Sequence, residues 1–268
     1  MRRLLSLSCE GAMLGASLDE GAGSTGVLMV TGGSQTRIGS HRMYERLAAG
    51  LAAAGHNAMR FDRRGTGDSE GEDPGFRGSG PDIAAAAAAF RRECPAVERL
   101  IGFGLCDGAT ALALFGAEAG LDGLILVNPW LVEAEAGQPP PAAVRRHYRD
   151  RLLSRKGWRK LLSGSMSYRK LFKGIASILR PADPKGLAAE TAEALAASGL
   201  PVALVLARGD ATAIAAEAEW KRPMFEAIRG RSGSPLYVES DSHTFARRGD
   251  AEALLAACLA AIDASSRR

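Results

Sequence analysis

Short apolar runs alternate with amphipathic, helix-forming stretches along most of this 268-residue chain. Two partly apolar runs at 4–9 and 12–18 flank Gly11 and predict a β-hairpin. Continuous apolar runs, typical of strands buried on both faces, follow at 26–31, 57–61, 99–104, 123–127, 202–207 and 236–239. Helix signals lie at 41–54, 81–92, 107–115, 217–228 and 250–263. This alternation predicts an α/β fold, with a mostly parallel sheet and helices on both faces.

The alternation breaks after Pro129, where a basic, helix-like and strand-poor stretch begins at residue 130 and runs to 195. Within it, residues 145–185 carry 13 Lys and Arg against two acidic residues, a net charge of +11. The rest of the chain therefore totals −7 within the overall +4. Such a contrast marks a segment with its own neighbour or task. We predict a basic helical insert at 130–195 in a core made of 1–129 and 196–268.

The bulk composition favours one soluble globular core. Hydrophobic residues make up 46% of the chain, and no apolar run reaches the roughly 20 residues that a membrane span needs. Glu10 interrupts the faint resemblance of the first residues to a signal peptide, so we expect a cytoplasmic protein. The four cysteines form no CxxC pair and no zinc-like spacing, so we expect no metal or other cofactor.

One cysteine follows a predicted strand and precedes a predicted helix. Gly104-Leu105-Cys106-Asp107-Gly108 has the G-x-nucleophile-x-G spacing of a strained strand-to-helix turn that exposes a reactive side chain. The helix N-terminus would favour a thiolate and a developing oxyanion. The alternative is a small buried cysteine between chance glycines, because glycine accounts for 32 of the 268 residues.

An acid and a histidine follow at the ends of two later strands, in the order that a catalytic triad of this kind requires. Asp210 comes just after the run at 202–207, and His243 comes just after the run at 236–239. Carboxyl ends of parallel strands carry the active site in open α/β sheets. Asp241 is a rival acid, but it lies only two residues from His243, so we prefer Asp210. The other histidines, His41, His56 and His147, are expected at the surface.

The tetrahedral oxygen of acyl transfer needs two backbone N–H donors. One should be the amide of Asp107, directly after the nucleophile. The other should come from the glycine-rich loop after the first buried strand, from Gly33 or Ser34; the alternative for this loop is a plain turn.

Several motifs resemble α/β hydrolases over nearly the whole chain. Thr31-Gly32-Gly33 is similar to their His-Gly-x oxyanion segment, with threonine for histidine, and residues 61–71, FDRRGTGDSEG, are similar to the loop after their fourth strand. A cysteine in the elbow is similar to dienelactone hydrolases. The segments TGGSQTRIGSHRMYERLA, GFGLCDGA, NPW and HTFAR resemble the exosortase A system-associated hydrolase 1 family most closely. This resemblance implies an α/β-hydrolase fold, hydrolysis, and a setting beside bacterial exopolysaccharide and protein-sorting genes, and it places a cap where the insert lies.

The residues thus predict a cysteine hydrolase of esters or thioesters. An acyltransferase on the same scaffold and a non-catalytic binding protein for exopolysaccharide assembly are the alternatives. The basic residues 145–185 could receive an anionic acyl substrate, contact anionic membrane or assembly machinery, or form a solvated helical face. Nucleic-acid binding is disfavoured because no recognised module occurs. Nicotinamide binding is disfavoured because no G-x-G-x-x-G follows the first buried strand.

Overall fold

A computed structural model describes residues 1–132 and 186–266 of the chain. The eight strands of these residues are β1 Arg2–Cys9, β2 Ala12–Asp19, β3 Thr25–Val30, β4 Asn57–Phe61, β5 Arg99–Leu105, β6 Gly123–Val127, β7 Val202–Ala207 and β8 Leu236–Val238. The helices are α1 Met43–Ala53, α2 Gly80–Glu93, α3 Asp107–Phe115, α4 Leu187–Ser198, α5 Ala211–Trp220, α6 Glu226–Ser232 and α7 Asp250–Ser266. Short 3-10 turns occupy Ser40–Arg42, Phe76–Gly78 and Pro223–Phe225.

All eight strands join one sheet in the order β1-β2-β4-β3-β5-β6-β7-β8. β1 and β2 form the predicted antiparallel hairpin, whose turn places Glu10 and Gly11 at positive φ. β2 pairs antiparallel with β4, and every later pairing is parallel. The carboxyl ends of β3 to β8 therefore share one edge of the sheet, which is where the predicted site residues follow.

Helices cover both faces of the sheet and bury two separate apolar clusters. One cluster packs β5 and β6 against α1 and α7, through residues such as Leu47, Phe103 and Ile262. The other packs the opposite face against α2 to α6, through residues such as Phe90 and Leu195. This two-faced burial explains why the parallel strands read as continuous apolar runs rather than alternating ones. The predicted α/β-hydrolase fold is confirmed.

Two details differ from the sequence prediction. The single helix predicted at 217–228 is wrong: α5 ends at Trp220, and Pro223 starts a new turn because proline cannot donate the backbone hydrogen bond that would continue the helix. The boundary predicted at residue 195 falls inside α4, which packs its Ala188, Ala192 and Leu195 into the core cluster. Residues 133–185 of the predicted insert lie outside the part of the chain that the structure describes, so the fold of the insert and its basic surface at 145–185 stay predictions.

Candidate active site

Cys106 occupies a strained turn between β5 and α3. Its backbone angles are φ 60° and ψ −127°, a region that costs a non-glycine residue about 1–3 kcal/mol. The turn is held from two sides, because the Cys106 amide donates to Val127 O at 3.0 Å and the Cys106 carbonyl accepts from Trp130 N at 3.1 Å. Strain that the surroundings enforce in this way projects the side chain out of the sheet edge.

The glycines two positions before and two positions after Cys106 allow close packing of the backbone. A Cβ atom on Gly104 would lie 2.6 Å from Ala109 N, so the strand could not approach the helix. A Cβ on Gly108 would lie 2.7 Å from the carbonyl oxygens of both Val30 and Thr31. The G-x-C-x-G spacing therefore reflects close packing of β5 against α3 and of α3 against the end of β3, and chance glycines do not account for it.

Asp210 is fixed at the end of β7 by two hydrogen bonds. It caps α5, where its Oδ2 atom accepts from Ala213 N at 2.9 Å, and the same oxygen lies 3.1 Å from His243 Nδ1. Its residue surface is only 6% exposed. The glycine before it is also required by packing, because a Cβ on Gly209 would lie 2.6 Å from the Asp241 Cβ. The turns after β7 and β8 thus lock together and present the acid to the histidine.

His243 connects the acid to the cysteine. Its Nδ1 atom hydrogen-bonds Asp210, and the Asp210 carboxylate first and the Cys106 side chain second raise the pKa of His243 to about 10, while burial lowers it. Because Nδ1 serves Asp210, Nε2 is the atom left for Cys106. The structure thus brings together the three side chains that the sequence singled out, and their chemical roles stay predictions.

The rival acid points elsewhere. The Asp241 carboxylate forms two hydrogen bonds with the Arg247 side chain, and this partner lowers the pKa of Asp241. The preference for Asp210 as the partner of His243 therefore agrees with the observed hydrogen bonds. His41 is exposed, as expected, but its Nε2 also lies 2.8 Å from Thr244 O, beside His243. Sequence reasoning missed this contact because 203 residues separate His41 from Thr244, and no local pattern links the two positions.

The loop after β3 reaches the elbow, as predicted. A Cβ on Gly32 would lie 2.4 Å from Leu105 O and 3.2 Å from the Cys106 Cβ, so the backbones touch at this point. Gly33 has φ +57° and donates its amide to Asp107 Oδ1 at 2.6 Å. Ser34 is exposed on the same turn. The two predicted donor positions, the Asp107 amide and the Gly33–Ser34 loop, are thus neighbours, although the Gly33 N–H is occupied by a carboxylate.

Two buried side chains near the site were not singled out from the sequence. The buried side chain of Asn128, the residue directly after β6, accepts from Ala207 N at 2.9 Å and donates to His243 O at 3.4 Å. Arg63 lay inside the FDRRGTGDSEG loop, and its Nη2 donates to Gly33 O. Arg63 is 1% exposed, and its Nε and Nη1 atoms find no partner among the described residues. A polar residue within two positions of the end of a buried strand was the signal available for both.

The four cysteines differ sharply in exposure. Cys9, Cys94 and Cys258 are buried, and Cys106 is the partly exposed member of the set. Burial raises the pKa of Cys258 to about 12; burial, followed by the hydrogen bond to Asp82, raises that of Cys9 to about 12. Burial also raises the pKa of Cys94. Three thiols are therefore held protonated and shielded at neutral pH.

Comparison with known proteins assigns the chain to a family. The model of the family described as "Serine aminopeptidase, S33" matches residues 27–175, more than half of the chain, from within β3 through β6 and including the elbow. The chain belongs to this family of α/β hydrolases. The family description names serine, whereas this hydrolase carries cysteine at the elbow. No curated protein sequence matches it significantly.

Solved structures share the hydrolase's fold at low sequence identity. An esterase, Pf2001, from Pyrococcus furiosus has a TM-score of 0.65 at 12% identity, over 98% of this chain and 90% of its own. Est1E from Butyrivibrio proteoclasticus, solved with ferulic acid bound, has a TM-score of 0.62 at 16% identity, over 97% and 99%. A thioesterase domain from the curacin biosynthetic pathway has a TM-score of 0.54 at 15% identity, over 97% and 99%. These likenesses support the fold.

In residues 1–132 and 186–266, no helix is both long enough and apolar enough to cross a bilayer. The same residues bring no three His, Cys, Asp or Glu side chains together in a way that could hold a metal ion.

Proposed function

We propose that this hydrolase cleaves esters or thioesters through a covalent acyl-enzyme formed on Cys106. The observation that carries the proposal is the hydrogen bond between Asp210 and His243, together with Cys106 on a strained elbow, whose side chain contributes to the raised pKa of His243. A nucleophile, a base within its reach and a third group that orients the base are the signature of nucleophilic acyl transfer.

The charges of the site favour a thiolate mechanism. The carboxylate of Asp210 supports a protonated His243, and a protonated imidazole beside the Cys106 sulfur stabilises the thiolate form. The sulfur also lies at the N-terminus of α3, where the helix dipole favours negative charge. The thiolate is the form of cysteine that attacks an acyl carbon.

The reaction follows from these roles. The Cys106 sulfur attacks the acyl carbon, and the oxygen of the tetrahedral intermediate takes the negative charge near the backbone amides of Asp107 and of the Gly33–Ser34 loop. Collapse of this intermediate breaks the bond to the leaving alkoxide or thiolate, which receives the proton from His243. His243 then takes a proton from water, whose oxygen attacks the thioacyl carbon, and the acid product leaves with the sulfur restored as thiolate.

The substrate and its setting form the finer part of the proposal. The esterases and the thioesterase that share the fold support small acyl esters or thioesters as substrates. The resemblance of the sequence to exosortase-associated hydrolases supports a role in exopolysaccharide metabolism, and the interrupted signal-peptide pattern at Glu10 supports a cytoplasmic location. The insert at 130–195 would act as a cap, and its basic residues 145–185 would receive an anionic acyl group or meet an anionic membrane or assembly machinery. Transfer of the acyl group to a hydroxyl instead of water is the alternative outcome on the same thioacyl intermediate.

The test combines alkylation of the four cysteines with acylation by an ester. The native protein is treated with iodoacetamide near neutral pH, and the adducts are mapped by mass spectrometry, with Cys94 as the internal control. We expect selective labelling of Cys106, loss of this selectivity in His243→Ala, and turnover of 4-nitrophenyl acetate or an acyl-CoA. Labelling of Cys106 no faster than Cys94, together with no turnover of either substrate, would remove the catalytic role and favour a binding protein.

A further inference from the structure

Asp107 provides both a backbone amide and a carboxylate to the same small space. Its N–H is one of the two proposed oxyanion donors, because it follows the nucleophile at the start of α3. Its Oδ1 atom accepts the Gly33 N–H at 2.6 Å, and Gly33 is a candidate for the other donor. The backbone of Asp107 therefore contributes a donor to the proposed oxyanion hole, while its side chain occupies the other donor.

Contacts around Gly32 show where the Asp107 carboxylate lies relative to Cys106. A Cβ atom built on Gly32 would lie 2.6 Å from Asp107 Oδ1 and 3.2 Å from the Cys106 Cβ. The same point of the loop thus meets the carboxylate oxygen and the side chain of the nucleophile. Asp107 Oδ1 therefore lies on the side of the loop that meets Cys106, and it is bound to one of the amides that the proposed oxyanion would use.

The loop itself has little room to retreat from Asp107. Arg63, which is almost fully buried, donates to Gly33 O from another direction, so the Gly33 backbone is held between a guanidinium and a carboxylate. Gly32 is already packed against Leu105 O. The Asp107 side chain is only partly buried and can rotate about its own bonds. Of the two partners, it is Asp107 that can move.

We infer that the Asp107 side chain gates the oxyanion hole: its carboxylate occupies the Gly33 N–H in the free protein and has to swing out before Cys106 can be acylated. The reason is electrostatic. The Gly33 N–H cannot stabilise a developing oxyanion while it is hydrogen-bonded to the carboxylate, and a carboxylate oxygen next to the oxyanion would repel it. The gate slows acylation. It does not affect the attack of Cys106 on reagents such as iodoacetamide, whose reaction places no oxygen in the oxyanion hole. This inference rests on the proposed function.

The experiment compares Asp107→Ala with Asp107→Asn in the full chain. Both variants remove the negative charge beside Cys106, but the asparagine oxygen can still accept from Gly33, whereas alanine cannot. Two rates are measured near neutral pH: the burst of 4-nitrophenolate from 4-nitrophenyl acetate, which needs the oxyanion hole, and alkylation of Cys106 by iodoacetamide, which does not. We expect the ratio of acylation to alkylation to rise about tenfold or more in Asp107→Ala, up to the roughly hundred- to thousandfold effect of one oxyanion donor, and to rise clearly less in Asp107→Asn.

The outcomes separate the gate from the catalytic proposal. Equal ratios in the native protein and both variants, or the same rise in Asn and Ala, would overturn the gate while leaving Cys106 as the nucleophile. Selective alkylation of Cys106 with no acylation in Asp107→Ala would also overturn it. Failure of Cys106 to react selectively with iodoacetamide in the native protein would instead overturn the proposed function. Thermal unfolding of each variant, which should match the native protein, shows that the comparison is between folded proteins.

Discussion

The side-chain oxygen of Asn128 accepts a hydrogen bond from the backbone amide of Ala207 at 2.9 Å, and so ties the end of β6 to the end of β7. The same side chain donates to the carbonyl of His243. Asn128 has φ 42°, a region that asparagine and glycine enter more easily than other residues. One buried amide group therefore positions the strand that carries the acid and the loop that carries the histidine.

We expect Asn128→Gly to lower the free energy of unfolding by about 2 kcal/mol, because it leaves the buried Ala207 amide without a partner. Asn128→Ala should cost about 1 kcal/mol more, since alanine also meets the strain of a positive φ. Urea unfolding of the two variants measures both effects. A glycine variant as stable as the native protein would show that the hydrogen bond contributes nothing to the fold.

Gly108→Ala should destabilise the protein by about 3 kcal/mol, because the added Cβ meets two backbone oxygens at 2.7 Å and neither can easily shift. Gly230→Ala is the matched control. It lies in α6 with open space around its Cβ position, and the substitution should stabilise by about 0.5 kcal/mol through helix propensity. Thermal or urea unfolding gives both values. Equal effects at the two positions would contradict the close-packing account of the elbow.

The pKa of His243 gives a prediction for pH dependence. We expect an NMR titration of the His243 ring to have its midpoint near 10, and Asp210→Asn to lower it by at least about one unit, because the Asp210 hydrogen bond is the largest cause of the shift. Since the folded pKa exceeds the ordinary value of 6.5, the stabilisation from His243 is complete below pH 6.5 and is lost as the pH rises toward 10.

The unfolding free energy of the native protein, relative to Asp210→Asn, should therefore decline across that interval. We expect a decline of about 1–3 kcal/mol, reduced by solvent screening because the His243 side chain is 32% exposed. A difference between the two proteins that stays constant with pH would mean that the Asp210–His243 contact does not hold a proton on the imidazole.

Cys106→Ser should lower kcat/KM for 4-nitrophenyl esters by about a hundredfold, because a serine hydroxyl is a weaker acid and a weaker nucleophile than a cysteine thiol and must lose its proton during the attack. Cys94→Ser is the control, since Cys94 is buried and lies away from the proposed triad, and its activity should match that of the native protein. A serine variant as active as the native protein would show that the site is tuned for a hydroxyl, as the description of the family suggests.

The sequence predicted the parallel strands closely because their burial on both faces leaves continuous apolar runs; the prediction for β6 matches both of its ends. It also predicted that Cys106, Asp210 and His243 lie at one edge of the sheet, because the carboxyl ends of parallel strands meet there. The break between α5 and α6 was missed, since the helical pattern on both sides of Pro223 is similar. The Gly33–Asp107 and Asn128–His243 contacts could not be predicted, because they depend on how loops far apart in the chain turn toward each other.

The sheet order also has a consequence for how the protein folds. The β1–β2 hairpin is made of neighbouring residues and can form early, whereas the contacts of the proposed site join distant parts of the chain: 33 residues separate Asp210 from His243, and 74 separate Gly33 from Asp107. Non-local contacts of this kind form slowly because the intervening loops must close first. On refolding, secondary structure should therefore return before the proposed hydrolytic activity, and a compact intermediate of this protein would carry every residue of the proposed triad without the contacts that join them.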